Sequence, residues 1–239
     1  MNAVTTPEPN QLDPDTPARG ERIPDPLGEA LRGRFLVFDG PDGSGKSTQH
    51  KRFMNACRRA GVETIEVREP GGTEVGERIR AALLDHLDRE EMSLRCEMLL
   101  YMASRAQLCE QVIAPALHAG KLVLADRFIS STLVYQGHAG GIPESEITAA
   151  GRIATQGVNP DATLIFDIDQ QTAASRLNPL LDRMESKGAD FHARVRAGYK
   201  HLLELGDEYV RVDARGTPDE VFAKIIGVLS NRFVASRTP

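Results

Sequence analysis

The chain has 239 residues, 41% of them hydrophobic and 26% charged, which supplies a full globular core and excludes a wholly disordered, collagen-like or low-complexity polypeptide. With 29 basic against 34 acidic residues the net charge is −5, which argues against a broad electrostatic grip on nucleic acid. The apolar runs, such as 35–38 and 122–125, fall far short of the ~20 residues of a membrane helix, so neither nucleic acid nor a membrane is an expected partner.

Residues 1–33 carry six of the 14 prolines (Pro7, Pro9, Pro14, Pro17, Pro24 and Pro26) and a net charge of −3. Such a stretch buries too little to offset the entropy of ordering it. It is expected to be a flexible extension, inert or partner-binding, ahead of one domain spanning residues 34–239. From Arg34 onward short apolar runs alternate with longer amphipathic ones. Strands are predicted at 35–38, 64–67, 121–125, 162–166 and 208–212. Helices are predicted at 46–59, 76–87, 91–118, 129–136, 144–157, 170–177, 190–205 and 217–231. Apolar strands each followed by a helix imply an α/β fold, a five-stranded parallel sheet with helices on both faces. Ligands in such sheets bind beyond the carboxyl ends of the strands. The cysteines Cys57, Cys96 and Cys109 are widely spaced with no CxxC pair and read as buried thiols in a reducing compartment. With no basic start leading into an apolar stretch, the cytoplasm is the expected location.

Directly after the first strand comes Gly40-Pro41-Asp42-Gly43-Ser44-Gly45-Lys46-Ser47-Thr48, a full match to G-x-x-x-x-G-K-[ST] in a strand–loop–helix setting. Its glycines let backbone N–H groups point inward at phosphate oxygens, and the following helix adds its positive dipole end. Lys46 is placed to reach the β- and γ-phosphates and the Ser47 hydroxyl to ligate Mg²⁺. The segment is therefore read as the binding site of a nucleoside triphosphate. No N/T-K-x-D stretch of the kind that reads guanine is present, and the size suits a small kinase.

The third strand ends in Asp126-Arg127-Phe128. There Asp126 suits Mg²⁺, usually through a water, and Arg127 suits an anion; the plainer alternative is that both cap the next helix. Arg68-Glu69-Pro70-Gly71-Gly72-Thr73 follows the second strand at the same end of the sheet, either a sharp turn or a backbone approach to a ligand. On the long helix, Arg105 falls on an apolar stripe one turn beyond Tyr101, and a cation there needs a partner. Tyr101 alone reads as core packing; with Arg105 it makes a base-binding wall. Ser131, Thr132 and Tyr135 add polar groups behind Asp126 and Arg127.

Together these residues resemble the thymidylate kinases, from about Arg34 to Phe233. The resemblance rests on the P-loop, Glu69-Pro70-Gly71-Gly72-Thr73, the Tyr101…Arg105 helix, Asp126-Arg127-Phe128 with Tyr135-Gln136-Gly137, and Asp182-Arg183-Met184-Glu185 leading into a helix that ends its motif at Tyr199. It implies a P-loop kinase fold with a short lid near 176–188, ATP with Mg²⁺ as phosphoryl donor, dTMP as acceptor in dTTP synthesis, and a homodimer formed through helices. Asp42 would approach the deoxyribose 3′-hydroxyl and Tyr101 would stack on thymine. Arg105 would donate to a thymine carbonyl, with Ser131 and Thr132 near the base edge. Arg127 and Arg68 would hold the acceptor phosphate, and Tyr135 would crowd the place of a 2′-hydroxyl. Asp126 and Glu69 would help place Mg²⁺ and the acceptor. Some family members carry an arginine in the P-loop where this chain has Gly43. The charge at the moving phosphoryl is then expected from lid arginines, Arg183 first and Arg176 second, with Arg194 and Arg196 beyond them. On a solvated face Arg183 would instead pair with Asp182 or Glu185. The rival readings are a kinase of another acceptor, such as dUMP or a deoxynucleoside, and a nucleotide-binding regulatory module without catalysis.

Overall fold

The computed structural model describes residues 21–85, 91–176 and 188–235. Five strands, β1 (Phe35–Asp39), β2 (Thr64–Arg68), β3 (Leu122–Asp126), β4 (Ala162–Asp167) and β5 (Tyr209–Asp213), form one sheet in the order β2-β3-β1-β4-β5. Every pairing is parallel. The α/β fold is as the sequence implies, and the apolar strand runs are the reason. Successive side chains point to opposite faces, and both faces are covered. Leu36 and Phe38 join Leu122, Leu124, Leu164 and Phe166 on one face. Phe35 and Val37 join Val123, Ala125 and Val67 on the other.

The first face is covered by α1 (Asp25–Leu31), α2 (Lys46–Arg59) and α10 (Pro218–Phe233). On the second, α4 (Leu94–Leu108) runs through one π-helical turn (Cys109–Ile113) into α5 (Ala114–His118). This is the predicted 91–118 helix with a wide turn inside it. Pro115 has no N–H for the carbonyl of residue 111, and the π turn just upstream accommodates that loss. The remaining elements are α3 (Glu74–Leu84), α6 (Ile129–Thr132), a second π-helical turn (Leu133–His138), α7 (Glu144–Thr155), α8 (Gln170–Arg176) and α9 (Ala189–Leu205); α3 and α7 pack against α4, and α9 and the second π turn pack on Ile165 of β4. Among the described residues no helix is long and apolar enough to cross a membrane.

Two sequence expectations are corrected. Residues 21–33 are not a loose extension: Ile23, Leu27 and Leu31 are buried in the main core, and α1 starts with Pro24 as its N-cap. Prolines disfavour a helix interior but are tolerated in its first turn, and Leu27, Ala30 and Leu31 give a buried face at helical spacing. Residues 1–20 lie outside the described residues. Of the three thiols, Cys57 and Cys109 are buried but Cys96 is exposed. It lies in the first turn of α4, where its N–H donates to Oγ of the N-cap Ser93 at 3.3 Å.

Candidate active site

The loop between β1 and α2 closes round a cradle of about 220 Å³ lined by residues 41–48. Gly40 has φ +148°, and a Cβ there would lie 2.9 Å from the Phe166 carbonyl oxygen of β4. Gly43 has φ +78°, and a Cβ would lie 2.4 Å from the Ala173 carbonyl oxygen of α8. Here α8 backbone occupies the space in which a P-loop arginine would start, so the charge must come from elsewhere. Ser44 Oγ is buried in the loop without a hydrogen-bond partner among the described residues, as befits a group waiting for an anion. Ser47 and Thr48 are exposed at the mouth.

Parallel register brings the other charged residues alongside. Arg68 is aligned with Asp126, and Asp126 with Phe38, so the ends of β2, β3 and β1 converge on the cradle. Lys46 Nζ donates to Asp126 Oδ1. Burial alone would raise the Asp126 carboxyl, but Lys46 and then Arg127 outweigh it and hold it below its ordinary range. Arg127 has φ +67°, a left-handed conformation uncommon for a side chain of this size and typical of sites where geometry is over-determined. Its Nη2 donates to Asp42 Oδ1 and its guanidinium lies 5.2 Å above the Tyr135 ring. Tyr135 Oη donates to Asp42 Oδ2 at 3.1 Å.

Beside the cradle is a pocket of about 230 Å³ lined by Asp42, Arg68, Glu69, Tyr101, Arg105, Asp126, Arg127, Ser131, Thr132 and Tyr135. Every residue expected on the acceptor side therefore meets in one place. Arg105 has its partner. The side chain is 1% exposed, Nε donates to Glu69 Oε2 at 2.8 Å and Nη2 at 2.5 Å, and Nη2 also reaches Thr132 Oγ1 at 3.1 Å. The guanidinium stacks 5.1 Å over Phe128. Only Nη1, 3.1 Å from Met102 Sδ, has no oxygen partner. Burial pushes the Glu69 carboxyl up and Arg105 opposes it. Glu69 thus supports Arg105 from below. Arg68 is exposed at the rim and pairs with Glu77 Oε2 at 3.2 Å.

Several residues were not visible as site residues in the sequence. Pro70, Arg80, Leu84, Phe128 and Gln136 complete the pocket wall. Gln136 Nε2 donates to the buried Glu97 at 2.8 Å, and Arg80 Nη1 to the Pro70 carbonyl at 2.9 Å. Asp39 is fully buried behind the P-loop. An acid ending an apolar strand was the signal used for Asp126, and it applies equally to Asp39. Of the lid arginines, Arg183 and the segment 177–187 lie outside the described residues. Arg176 donates to the Ala214 and Gly216 carbonyls at 3.3 and 3.5 Å, on the β5–α10 side of the cradle. Arg194 Nε is bonded to the Ala139 carbonyl at 2.9 Å.

Residues 38–225 match the family model described as thymidylate kinase. The chain belongs to the thymidylate kinase family. It is 44% identical over 187 residues to a thymidylate kinase of Exiguobacterium, covering 77% of this chain and 88% of that one. It is 41% identical over 202 residues to that of Finegoldia magna, covering 84% and 99%. Among solved structures it resembles the thymidylate kinase of Ehrlichia chaffeensis at 27% identity and a TM-score of 0.66, over 83% of this chain and 99% of that chain. The family match starts inside β1, after α1.

Proposed function

We propose that this enzyme transfers the γ-phosphoryl group of ATP to dTMP, giving dTDP and ADP for dTTP synthesis. The observation that carries the proposal is that the phosphate cradle and the acceptor pocket share Asp42 and meet at Lys46, Asp126 and Arg127. Donor and acceptor phosphates bound there would face each other in one cleft, as phosphoryl transfer requires. No covalent intermediate is needed. Lys46 and Arg127 supply positive charge at the moving group, and Arg183 or Arg176 would add to it.

On the acceptor side Tyr101 would stack on thymine, Arg105 would offer Nη1 to a thymine carbonyl, and Ser131 and Thr132 would line the base edge. Arg127 and Arg68 would hold the phosphate, Asp42 would take the 3′-hydroxyl, and Tyr135 would fill the place of a 2′-hydroxyl. Mg²⁺ carried by a nucleotide needs only one or two protein ligands. Ser47, exposed at the cradle mouth, and Asp126, whose side chain is 30% exposed, fit that need; the ion would neutralise charge between the β- and γ-phosphates. Among the described residues no cluster of three metal-binding side chains exists that would serve instead. Free cysteines and ATP as donor support a cytoplasmic setting. Exposed Leu99 on α4 and Ile153 on the adjoining α7, at 57% and 79%, support a homodimer.

ADP release from ATP and Mg²⁺, measured with dTMP, dUMP, dCMP, dGMP, UMP, AMP, thymidine and no acceptor, tests the assignment. Strong turnover with dTMP, weaker turnover with dUMP and almost none otherwise is expected. One thymine methyl is worth only ~1–3 kcal/mol of discrimination. Equal turnover without acceptor would make the protein an ATPase, and silence with ATP still bound would make it a regulatory module.

A further inference from the structure

Asp39 ends β1 inside the protein, at 0% exposure, and no step of the phosphoryl transfer described above uses it. Its carboxylate nonetheless accepts hydrogen bonds from several parts of the chain. Tyr199 Oη of α9 donates to Oδ1 at 2.7 Å, Ser131 Oγ at 2.8 Å and the Gly40 N–H at 2.8 Å. Ser130 Oγ donates to Oδ2. Four elements of the chain, β1, the P-loop, α6 and α9, therefore meet on one carboxylate.

The two terminal nitrogens of Arg127 differ in the same way. Nη1 lies in this cluster, 3.1 Å from Ser131 Oγ, 3.1 Å from Tyr199 Oη, 3.2 Å from the Gly40 carbonyl and 3.4 Å from Asp39 Oδ1. Both hydroxyls donate to Asp39 and present their lone pairs to Nη1. Burial and the neighbouring Asp39 push the Tyr199 phenol far up, so its proton stays in place. Among the described residues Nη2 has a single side-chain partner, Asp42, on the wall shared by both cavities.

We infer that Asp39 is a positioning residue for the acceptor phosphate. With Ser131 and Tyr199 it clamps Nη1 of Arg127, so that only Nη2 is free to exchange its carboxylate partner for a phosphate oxygen. Arriving phosphate displaces Asp42 from Nη2, and the displaced carboxylate becomes available to a sugar hydroxyl. One exchange thus couples phosphate binding to sugar binding without moving the guanidinium. The inference rests on the proposed phosphorylation of dTMP and names residues that act on it through Arg127.

The test uses the full chain carrying Asp39→Asn, Tyr199→Phe or both, with kcat and KM measured for each substrate. Asp39→Asn keeps the shape but removes the negative charge beside Nη1. It is expected to raise the KM for dTMP about tenfold, while the KM for ATP stays within about twofold. Tyr199→Phe should raise the KM for dTMP by about threefold, and the double variant should be no worse than Asp39→Asn alone, because both substitutions open the same clamp. An unchanged KM for dTMP in either single variant overturns the inference, as does a double variant whose effects multiply. Should Asp39→Asn fail to fold, Tyr199→Phe alone decides in the same way, since it removes one hydroxyl and keeps the ring. A wild-type protein that binds ATP but neither binds nor phosphorylates dTMP overturns the functional reading and this inference with it. Wild-type turnover of dTMP with a normal KM in the variants overturns only the latter.

Discussion

Lys46→Ala is expected to lower kcat by about 10²–10³-fold while the protein stays folded. Lys46 is the cation that the P-loop helix places at the meeting point of the two cavities, and the loss of one preorganised charge at a transition state is of that size. The fold should survive because the partner left behind is not stranded. Asp126 remains beside Arg127, which also holds its carboxyl low, and its side chain is 30% exposed. Steady-state turnover with dTMP together with a thermal melt checks both halves. Full activity in the variant would remove Lys46 from the chemistry.

Arg105→Leu is expected to be the most destabilising single change at the site, by about 3–5 kcal/mol, or on the order of 10 °C in Tm for a chain this size. Among the described residues nothing else pairs with Glu69, whose side chain is 3% exposed, so the variant strands a buried carboxylate. Burial already raises Glu69 against the pull of Arg105, and without the arginine it must rise further. A carboxyl raised above its unfolded value binds its proton more tightly in the native state. The variant is therefore relatively more stable at low pH and loses stability as pH rises through the raised native value. The difference in Tm from the wild type should accordingly shrink between pH 7 and pH 5. Arg105→Leu with Glu69→Leu should recover much of the loss, since two apolar groups replace a buried ion pair at little cost. Melting curves of the wild type, the single variant and the double variant at both pH values measure this. A single variant as stable as the wild type would mean that the pair does not hold the pocket floor.

The strand ends show how far the sequence could be read. All five strands were recognised from apolar runs, and each extends one residue beyond its predicted end, to Asp39, Arg68, Asp126, Asp167 and Asp213. The apolar run stops where a charged residue begins, but the parallel ladder carries on through it, as in the pairs Arg68–Asp126 and Asp167–Asp213. Three of those extra residues, Asp39, Arg68 and Asp126, lie at the site, whereas Asp167 pairs with Arg211 and Asp213 with Arg215 and Lys224. Asp126 is visible because Arg127 and Phe128 follow it in a recognisable run, whereas Asp39 falls between the first apolar run and the P-loop motif and belongs to neither. Its importance comes from Tyr199, 160 residues away in the chain, and no local pattern encodes that meeting. The partner of Arg105 was likewise demanded by the apolar stripe, but only the fold identifies it as Glu69. Gln136 and Arg80 carry no positional signal of their own, and they enter the pocket because the π-helical turn after α6 and the helix α3 turn them inward. The misreading of residues 21–33 has a simpler cause. Six prolines were weighed as disorder over the whole stretch, although Pro24 and Pro26 sit where a helix begins.

The central claim is that one cleft passes a phosphoryl group from ATP to dTMP without releasing it to water. The most direct test follows the label of γ-³²P-ATP with Mg²⁺, dTMP and the purified protein, resolving the products by chromatography. The label is predicted to leave ATP and appear in dTDP, in step with ADP formation and with little inorganic phosphate. Label that appears as inorganic phosphate whether or not dTMP is present would contradict the account.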